Sequence, residues 1–263
     1  MSSPDAKKFL PLAERLADAA RPIVQRHFRA GAGFEIKGDQ SPVTIADREA
    51  EAAMRVLLDA ECPEHGIEGE EHGRKEGSSD WVWYLDPIDG TKSYICGVPM
   101  FGTLIGLAHA GRPVLGVLDQ PITGERWCAA GGTGAFLDGR SIHTSDCRKL
   151  DQARLFTCSQ DILRTATLAS FERLRQAVYV TRYSADCYAF GLLAAGHADI
   201  VVEAHLHEYD VAALVPIIEE AGGVVSDWRG EPLRFERQVS IESILACANA
   251  DLHAQALDCL AFR

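Results

Sequence analysis

Trp81-Val82-Trp83-Tyr84-Leu85-Asp86-Pro87-Ile88-Asp89-Gly90-Thr91 is the stretch that decides how this chain is read. An apolar strand ends abruptly in two carboxylates, a proline and a glycine. Asp86 and Asp89 are three residues apart across a turn, so both can face one hard cation, and the Ile88 carbonyl can join them as an oxygen ligand. At Gly90-Thr91 the chain enters a turn or a helix start, whose backbone N–H groups lack intrahelical partners and form a pocket for an anion beside the metal. The plainer reading of Asp86 and Asp89 is a turn and a helix cap, a common fate for Asp next to Pro and Gly.

Two further acidic segments bear on this choice. Gly69-Glu70-Glu71 follows a strand-like run from His65 to Glu68, and its carboxylates can meet the end of the Asp86 strand in space. In Glu208-Tyr209-Asp210-Val211-Ala212-Ala213, Asp210 opens an apolar helix carrying Leu214, Val215, Ile217 and Ile218, either as a plain N-cap or as a ligand.

Working outward, helical spacing of Leu12, Leu16, Ala19, Ala20, Ile23 and Val24 predicts a helix over 9–28, kinked at Pro22, and a second helix begins at Thr44. Strands are expected at 81–85, 102–108 and 114–118, the last two joined through Gly111-Arg112-Pro113, with more to about 142. Residues 1–145 therefore read as helices against an antiparallel sheet. After Ser145 strands and helices alternate: strand 154–158, helix 171–177, strand 179–183, helix 185–195, strand 199–203, one helix 210–221, strands 223–226 and 243–247, and a terminal helix. Residues 146–263 read as an α/β half. The whole is of the α+β class, and a cleft between the halves is a natural ligand site.

Composition narrows the function. The chain has 263 residues, 47% hydrophobic and 24% charged, as expected of an ordinary globular protein. Its formal charge of −12 repels nucleic acids and anionic membranes, and the short pairs Lys7–Lys8 and Arg148–Lys149 make no basic groove. The N-terminal stretch lacks a signal peptide's apolar run, and nowhere do about 18 uninterrupted apolar residues occur, so a cytoplasmic location is expected. Eight cysteines are scattered without a CxxC pair, which favours reduced, buried thiols. His205 and His207 read as incidental surface rather than a metal pair. Gly131-Gly132-Thr133-Gly134 lacks the strand-to-helix setting of a dinucleotide fingerprint and reads as a strand turn. There is no Walker A sequence and no GxSxG elbow.

Taken in order and spacing, Gly69-Glu70-Glu71, Asp86-Pro87-Ile88-Asp89-Gly90-Thr91 and Tyr209-Asp210-Val211-Ala212-Ala213 resemble the inositol monophosphatase family. Ser41-Pro42-Val43-Thr44-Ile45-Ala46-Asp47 resembles its first motif, and Glu219-Glu220-Ala221-Gly222-Gly223 its closing helix and turn. The histidinol-phosphatase branch is the nearest match. It is suggested by 89–94, by 101–105, by Val117-Leu118-Asp119-Gln120-Pro121 with Glu125-Arg126-Trp127, and by the run from Asp186 to Leu192.

The resemblance implies a layered α-β-α-β-α fold, a homodimer, and Mg²⁺ as cofactor. Glu70, Asp86 and the Ile88 carbonyl would bind one ion. Asp86, Asp89 and Asp210 would bind a second, and a looser third near Glu70 and Asp47 is a further family feature. Thr91 and Asp47 would position or deprotonate the attacking water beside Glu70, although Thr44-x-x-Asp47 also reads as a helix cap. Four carboxylates repel one another, and two divalent cations bring the sum from −4 to about 0, ready for in-line attack on a phosphate ester. The Gly90 and Thr91 N–H groups would hold the remaining phosphate oxygens.

Asp186 and Glu203 would face the substrate's organic group together with Asp89 and Asp210. Their charge suits the ammonium and imidazole of histidinol phosphate, although Asp186 also reads as a helix N-cap. The implied activity is hydrolysis of histidinol phosphate in histidine biosynthesis. Inositol 1-phosphate, fructose 1,6-bisphosphate and adenosine 3′,5′-bisphosphate are rival esters, and a binding protein is the rival class.

Overall fold

The computed structural model describes residues 5–31, 35–36, 42–159, 165–235 and 240–261. Ser41 of the first motif and residues 1–4 lie outside that set. Helix α1 is Leu10–His27, a short pair β1 (Glu35–Ile36) and β2 (Pro42–Val43) follows, and α2 is Ile45–Glu61. Strands β3 (Gly66–Gly69), β4 (Gly73–Lys75) and β5 (Trp81–Asp89) lead into α3 (Thr91–Ile95). Then come β6 (Gly102–His109), β7 (Arg112–Asp119), β8 (Arg126–Ala130), β9 (Ala135–Leu137) and β10 (Arg140–Ile142). The second half holds β11 (Arg154–Thr157), α4 (Thr165–Ala177), β12 (Val180–Tyr183), α5 (Asp186–Ala194) and β13 (Ile200–Leu206). It closes with α6 (Glu208–Val211), α7 (Leu214–Glu220), β14 (Val224–Ser226), β15 (Ile241–Cys247) and α8 (Ala250–Leu260).

Side-chain alternation builds five layers. On β5, Trp83 and Leu85 point into a core with Leu16, Val24, Met54 and Leu58 of α1 and α2. Tyr84 points the other way, into a core shared with Phe190 of α5, Ile217 of α7, and Val201 and Ala246 of the second sheet. The far face of that sheet presents Ile200, Val202 and Leu245 to Phe171 and Leu174 of α4 and Leu252 and Leu260 of α8. Three apolar cores thus fill the spaces outside and between the two sheets, the middle one enclosing α5 and α7, in the α-β-α-β-α arrangement expected. Pro22 lies inside α1 without ending it.

The larger sheet runs β10-β9-β8-β7-β6-β5-β3-β4. The antiparallel reading of this half needs one correction: β3 and β5 pair in parallel, with Gly69 opposite Leu85. That pairing sends both strand ends to the same edge, where the Glu70 N–H donates to the Leu85 carbonyl at 3.1 Å. The smaller sheet, β12-β11-β13-β15-β14, is mixed: β11 is parallel to β12 and β13, while β15 is antiparallel to β13 and β14.

A second correction concerns the helix expected over 210–221. It is two helices, α6 and α7, with Ala212 and Ala213 between them. Pro216, in the first turn of α7, has no N–H to donate back toward Ala212, so the helical ladder cannot run through. The break also fits the sheet beneath. Gly106 and Gly116 face each other across β6 and β7. A Cβ on Gly106 would lie 2.7 Å from Ala212 Cβ, and one on Gly116 would lie 1.8 Å from the Ala213 oxygen. The two glycines leave the sheet bare where the helix break lands, and so set the distance of Asp210 from the strand end.

Candidate metal centre

The centre forms at the edge where β3 and β5 end. In a regular strand, residues three apart point to opposite faces. Here the pairing of β5 with β6 shifts register between Asp86, opposite Leu104, and Asp89, opposite Gly102. This bulge turns Ile88 into the α1/α2 core and brings Asp89 to the side of Asp86. The Pro87 carbonyl released by the bulge accepts a hydrogen bond from Thr103 Oγ1 at 2.7 Å, and the Ile88 N–H donates to Asp86 Oδ1 at 3.0 Å.

Asp86, Asp89 and Asp210 each bring an oxygen to within 4.8 Å of the others. Asp86 is buried, while Asp89 and Asp210 are half-buried. Removal from water pushes the Asp86 carboxyl well up, and the negative charges of Glu70, Asp89 and Asp210 push it further. Asp89 is raised to about 7, by burial and then by Asp186. Asp210 is raised well above the usual range by burial and then by Asp89. Among the described residues, no Lys or Arg pairs with Asp86, Asp89 or Asp210. An all-oxygen donor set of this density suits a hard divalent cation, which would return these acids to their ionised forms.

Each acid is aimed by neighbours that the motifs did not reveal. Gly69 has no room for a Cβ, which would meet Glu51 Oε1 at 2.1 Å. Buried Glu51 accepts the N–H groups of Glu71 at 2.8 Å and His72 at 3.2 Å, and Arg55 donates to it at 2.7 Å. The turn carrying Glu70 is therefore fastened to α2. A signal was present, a carboxylate on the sheet-facing side of an otherwise apolar helix stripe, but sequence reading passed it over.

Asp210 is not itself the N-cap, the plainer of the two readings it allowed. It is the third residue of α6, and its Oδ2 accepts the His207 N–H at 2.8 Å, so His207 takes the cap position. The His207 ring stacks on Tyr209 with centroids 5.1 Å apart. His205 and His207 are exposed, as surface residues should be, although His205 also lines the cavity described below.

Asp47 does form the helix cap: it accepts the Thr44 N–H at 2.8 Å and the Thr44 hydroxyl at 2.6 Å. Its Oδ1 is buried without a partner, and burial raises its carboxyl to about 7 despite the Thr44 bonds. The Thr91 hydroxyl donates to the Ile88 carbonyl at 3.1 Å. Gly90 has φ +94°, and a Cβ there would lie 2.9 Å from Asp186 Oδ2. Glycine alone lets this turn lie against Asp186.

Asp186 is the first residue of α5 and makes no capping bond, which corrects the N-cap reading. Its oxygens instead accept Ser93 Oγ–H at 2.8 Å and Cys158 Sγ–H at 2.8 Å. The next residue, Cys187, donates its N–H to Asp89 Oδ2 at 2.6 Å. Asp89, Asp186, Glu203 and Asp210 line one side of a cavity of about 110 Å³, with Phe190, Leu206 and Leu214 supplying apolar wall. The four acids named for the organic group thus share one space, and two of them, Asp89 and Asp210, also belong to the candidate metal cluster.

The sequence profile of the inositol monophosphatase family matches residues 5–261. The chain is 44% identical to bifunctional phosphatase IMPL2 of Arabidopsis thaliana over 99% of its own length and 77% of that protein's. It is 36% identical to a histidinol-phosphatase of Chlorobaculum parvum, over 84% of its length and 86% of the relative's. The structure of an inositol monophosphatase from Zymomonas mobilis superposes with a TM-score of 0.88 at 42% identity, covering 98% of this chain and 99% of that one. Matched over residues 5–261 by the family's profile and sharing the fold of a 42%-identical relative, the chain belongs to the inositol monophosphatase family.

Proposed function

We propose that this phosphatase-family chain is a Mg²⁺-dependent phosphomonoesterase that hydrolyses histidinol phosphate to histidinol and phosphate, a step of histidine biosynthesis. The observation that carries the choice of substrate is the acidic cavity. Asp186 and Glu203 stand beside the cage, and Glu203 is buried with Oε2 unpartnered. A neutral polyol asks only for hydrogen bonds, whereas an ammonium or imidazolium offsets the charge such a pocket concentrates.

In this reading Glu70, Asp86, the Ile88 carbonyl, Asp89 and Asp210 would hold the metal. Bound Mg²⁺ supplies the positive charge that draws the phosphoryl group in and makes water a better nucleophile. The chain's own residues do the placing. The N–H groups of Gly90 and Thr91 hold phosphate oxygens that the cage does not reach. Glu70, Thr91 and Asp47 orient the attacking water, and the unpartnered Asp47 Oδ1, on a carboxyl that titrates near neutrality, is the atom suited to take its proton. Asp186 and Glu203 hold the organic group so that the leaving oxygen lies in line. A cytoplasmic homodimer, as the family resemblance implies, completes the proposal. Light scattering on the eluting protein tests the dimer, and a monomer mass would contradict it.

Phosphate release from purified protein with Mg²⁺ tests the substrate. Histidinol phosphate, inositol 1-phosphate, fructose 1,6-bisphosphate and adenosine 3′,5′-bisphosphate are offered in parallel. The highest kcat/KM is expected on the first. Equal or better turnover of inositol 1-phosphate, the ester that the Zymomonas likeness favours, would defeat the choice.

A further inference from the structure

One residue in the acidic cavity has no place in the reading above, yet it touches both substrate-facing acids. Cys158 follows directly on β11, and β11 runs parallel to β13 with Phe156 opposite Val201. That register sets Cys158 beside Glu203. Its backbone N–H donates to Glu203 Oε1, and its thiol donates to Asp186 Oδ1 at 2.8 Å. The second oxygen of Asp186 is taken by Ser93. The second oxygen of Glu203 is not taken at all: Oε2 is buried without a partner, on a residue 4% exposed. Alternation along β13 explains the direction, since Ile200, Val202 and Ala204 fill the outer core while Val201 and Glu203 face inward.

We propose that Cys158 is a positioning residue for specificity. Through one N–H and one S–H it fixes the spacing of Glu203 and Asp186, leaving Glu203 Oε2 free for a cationic nitrogen on the substrate's organic group. This rests on the substrate reading above, that the alcohol leaving with the ester bears an amine. The thiol acts as a donor and not as a nucleophile. Burial and then the charges of Asp186 and Glu203 hold its proton on the sulfur. Without that donor, Asp186 loses the bond to Oδ1 and the two acidic side chains lose their shared tether. Serine keeps a donor at the same position on a shorter bond; alanine keeps none.

The experiment compares wild type, Cys158→Ala and Cys158→Ser on histidinol phosphate and inositol 1-phosphate with Mg²⁺. For Cys158→Ala the ratio of kcat/KM values, amine ester over polyol ester, should fall about tenfold, the value of one hydrogen bond to a charged group. The loss should sit in KM for the amine ester. Cys158→Ser should hold the ratio to within about threefold of wild type. An unchanged ratio in Cys158→Ala, or a serine variant as impaired as the alanine one, overturns the positioning role while leaving the substrate reading intact. A wild-type enzyme that itself favours inositol 1-phosphate overturns the substrate reading and this inference with it, and that result is visible before any variant is made.

Discussion

Asp199 and Asp86 are both buried aspartates in the same molecule, and they are treated in opposite ways. Burial works against the charge of Asp199, but Arg154 donates to it through Nε at 2.8 Å and Nη2 at 2.9 Å, and Ser145 adds another bond. The net effect holds its carboxyl below the usual range. Asp119 is likewise buried between Arg21 and Arg126, at 2.5 Å and 2.6 Å. Around Asp86 the nearest charges are Glu70, Asp89 and Asp210, all of its own sign. An acid buried for structure brings its cation within the chain. An acid buried among other acids leaves that cation to be supplied from outside, and this is the physical signature of the metal cage.

The contrast breaks first if Asp86 behaves like a structural acid. Asp86→Asn should cut phosphate release by about a thousandfold or more, because the carboxylate proposed to hold the metal becomes a neutral amide. The same change should leave the melting temperature of the metal-free protein unchanged or higher, since it removes repulsion. A fall in melting temperature to match the lost activity would contradict the assignment. A biological phenotype that survives this change would favour the binding-protein reading instead.

A smaller effect sharpens the comparison through pH. The raised carboxyls of Asp89 and Asp47, both about 7, keep protons in the folded protein that the unfolded chain has released near pH 4. The folded state binds the extra protons, so metal-free stability is fully present below the ordinary carboxylate range and declines as pH rises toward 7 and beyond. Mg²⁺ should reverse that decline. Its stabilisation at a hundredfold excess over Kd is about 2.7 kcal/mol. Thermal melts with and without Mg²⁺ should therefore differ more at pH 8 than at pH 5, and a metal shift independent of pH would count against protonated cage acids.

The smallest effect falls on the structural side. Asp199→Asn should lower unfolding free energy by about 2 kcal/mol, because Arg154 keeps some access to water. Mg²⁺ dependence should be unaltered. Urea titration measures the first quantity and activity against Mg²⁺ concentration the second.

What the sequence made legible follows the same divide. Glu70, Asp86, Asp89 and Gly90 belong to short motifs, and local chain geometry brings the last three to one turn. The layers implied by the family resemblance also appear, and periods of two and 3.6 mark the faces that the three cores cover. What stayed hidden depends on elements meeting from far apart. Parallel pairing of β3 with β5 could not be read from either strand alone, because β4 intervenes in the chain and pairs with the other edge of β3. Gly106 and Gly116 are unremarkable until a helix break rests on both, and only Pro216 hinted at that break. Asp186 imitates a helix cap in sequence, but its partners Ser93 and Cys158 lie far along the chain; Asp210 does accept a local bond from the His207 N–H, while the two aspartates it meets come from another element. Glu51 and Cys158 had no motif to announce them.

The claim beneath all of this is that Asp86, Asp89 and Asp210, with Glu70, cage divalent ions. Crystals grown with Mn²⁺, whose anomalous scattering marks the metal directly, test it. Two peaks are expected, each within bonding distance of an Asp86 oxygen, one reaching toward Glu70 and one toward Asp210. Active, Mn²⁺-loaded protein with no anomalous peak at this cluster would contradict the account.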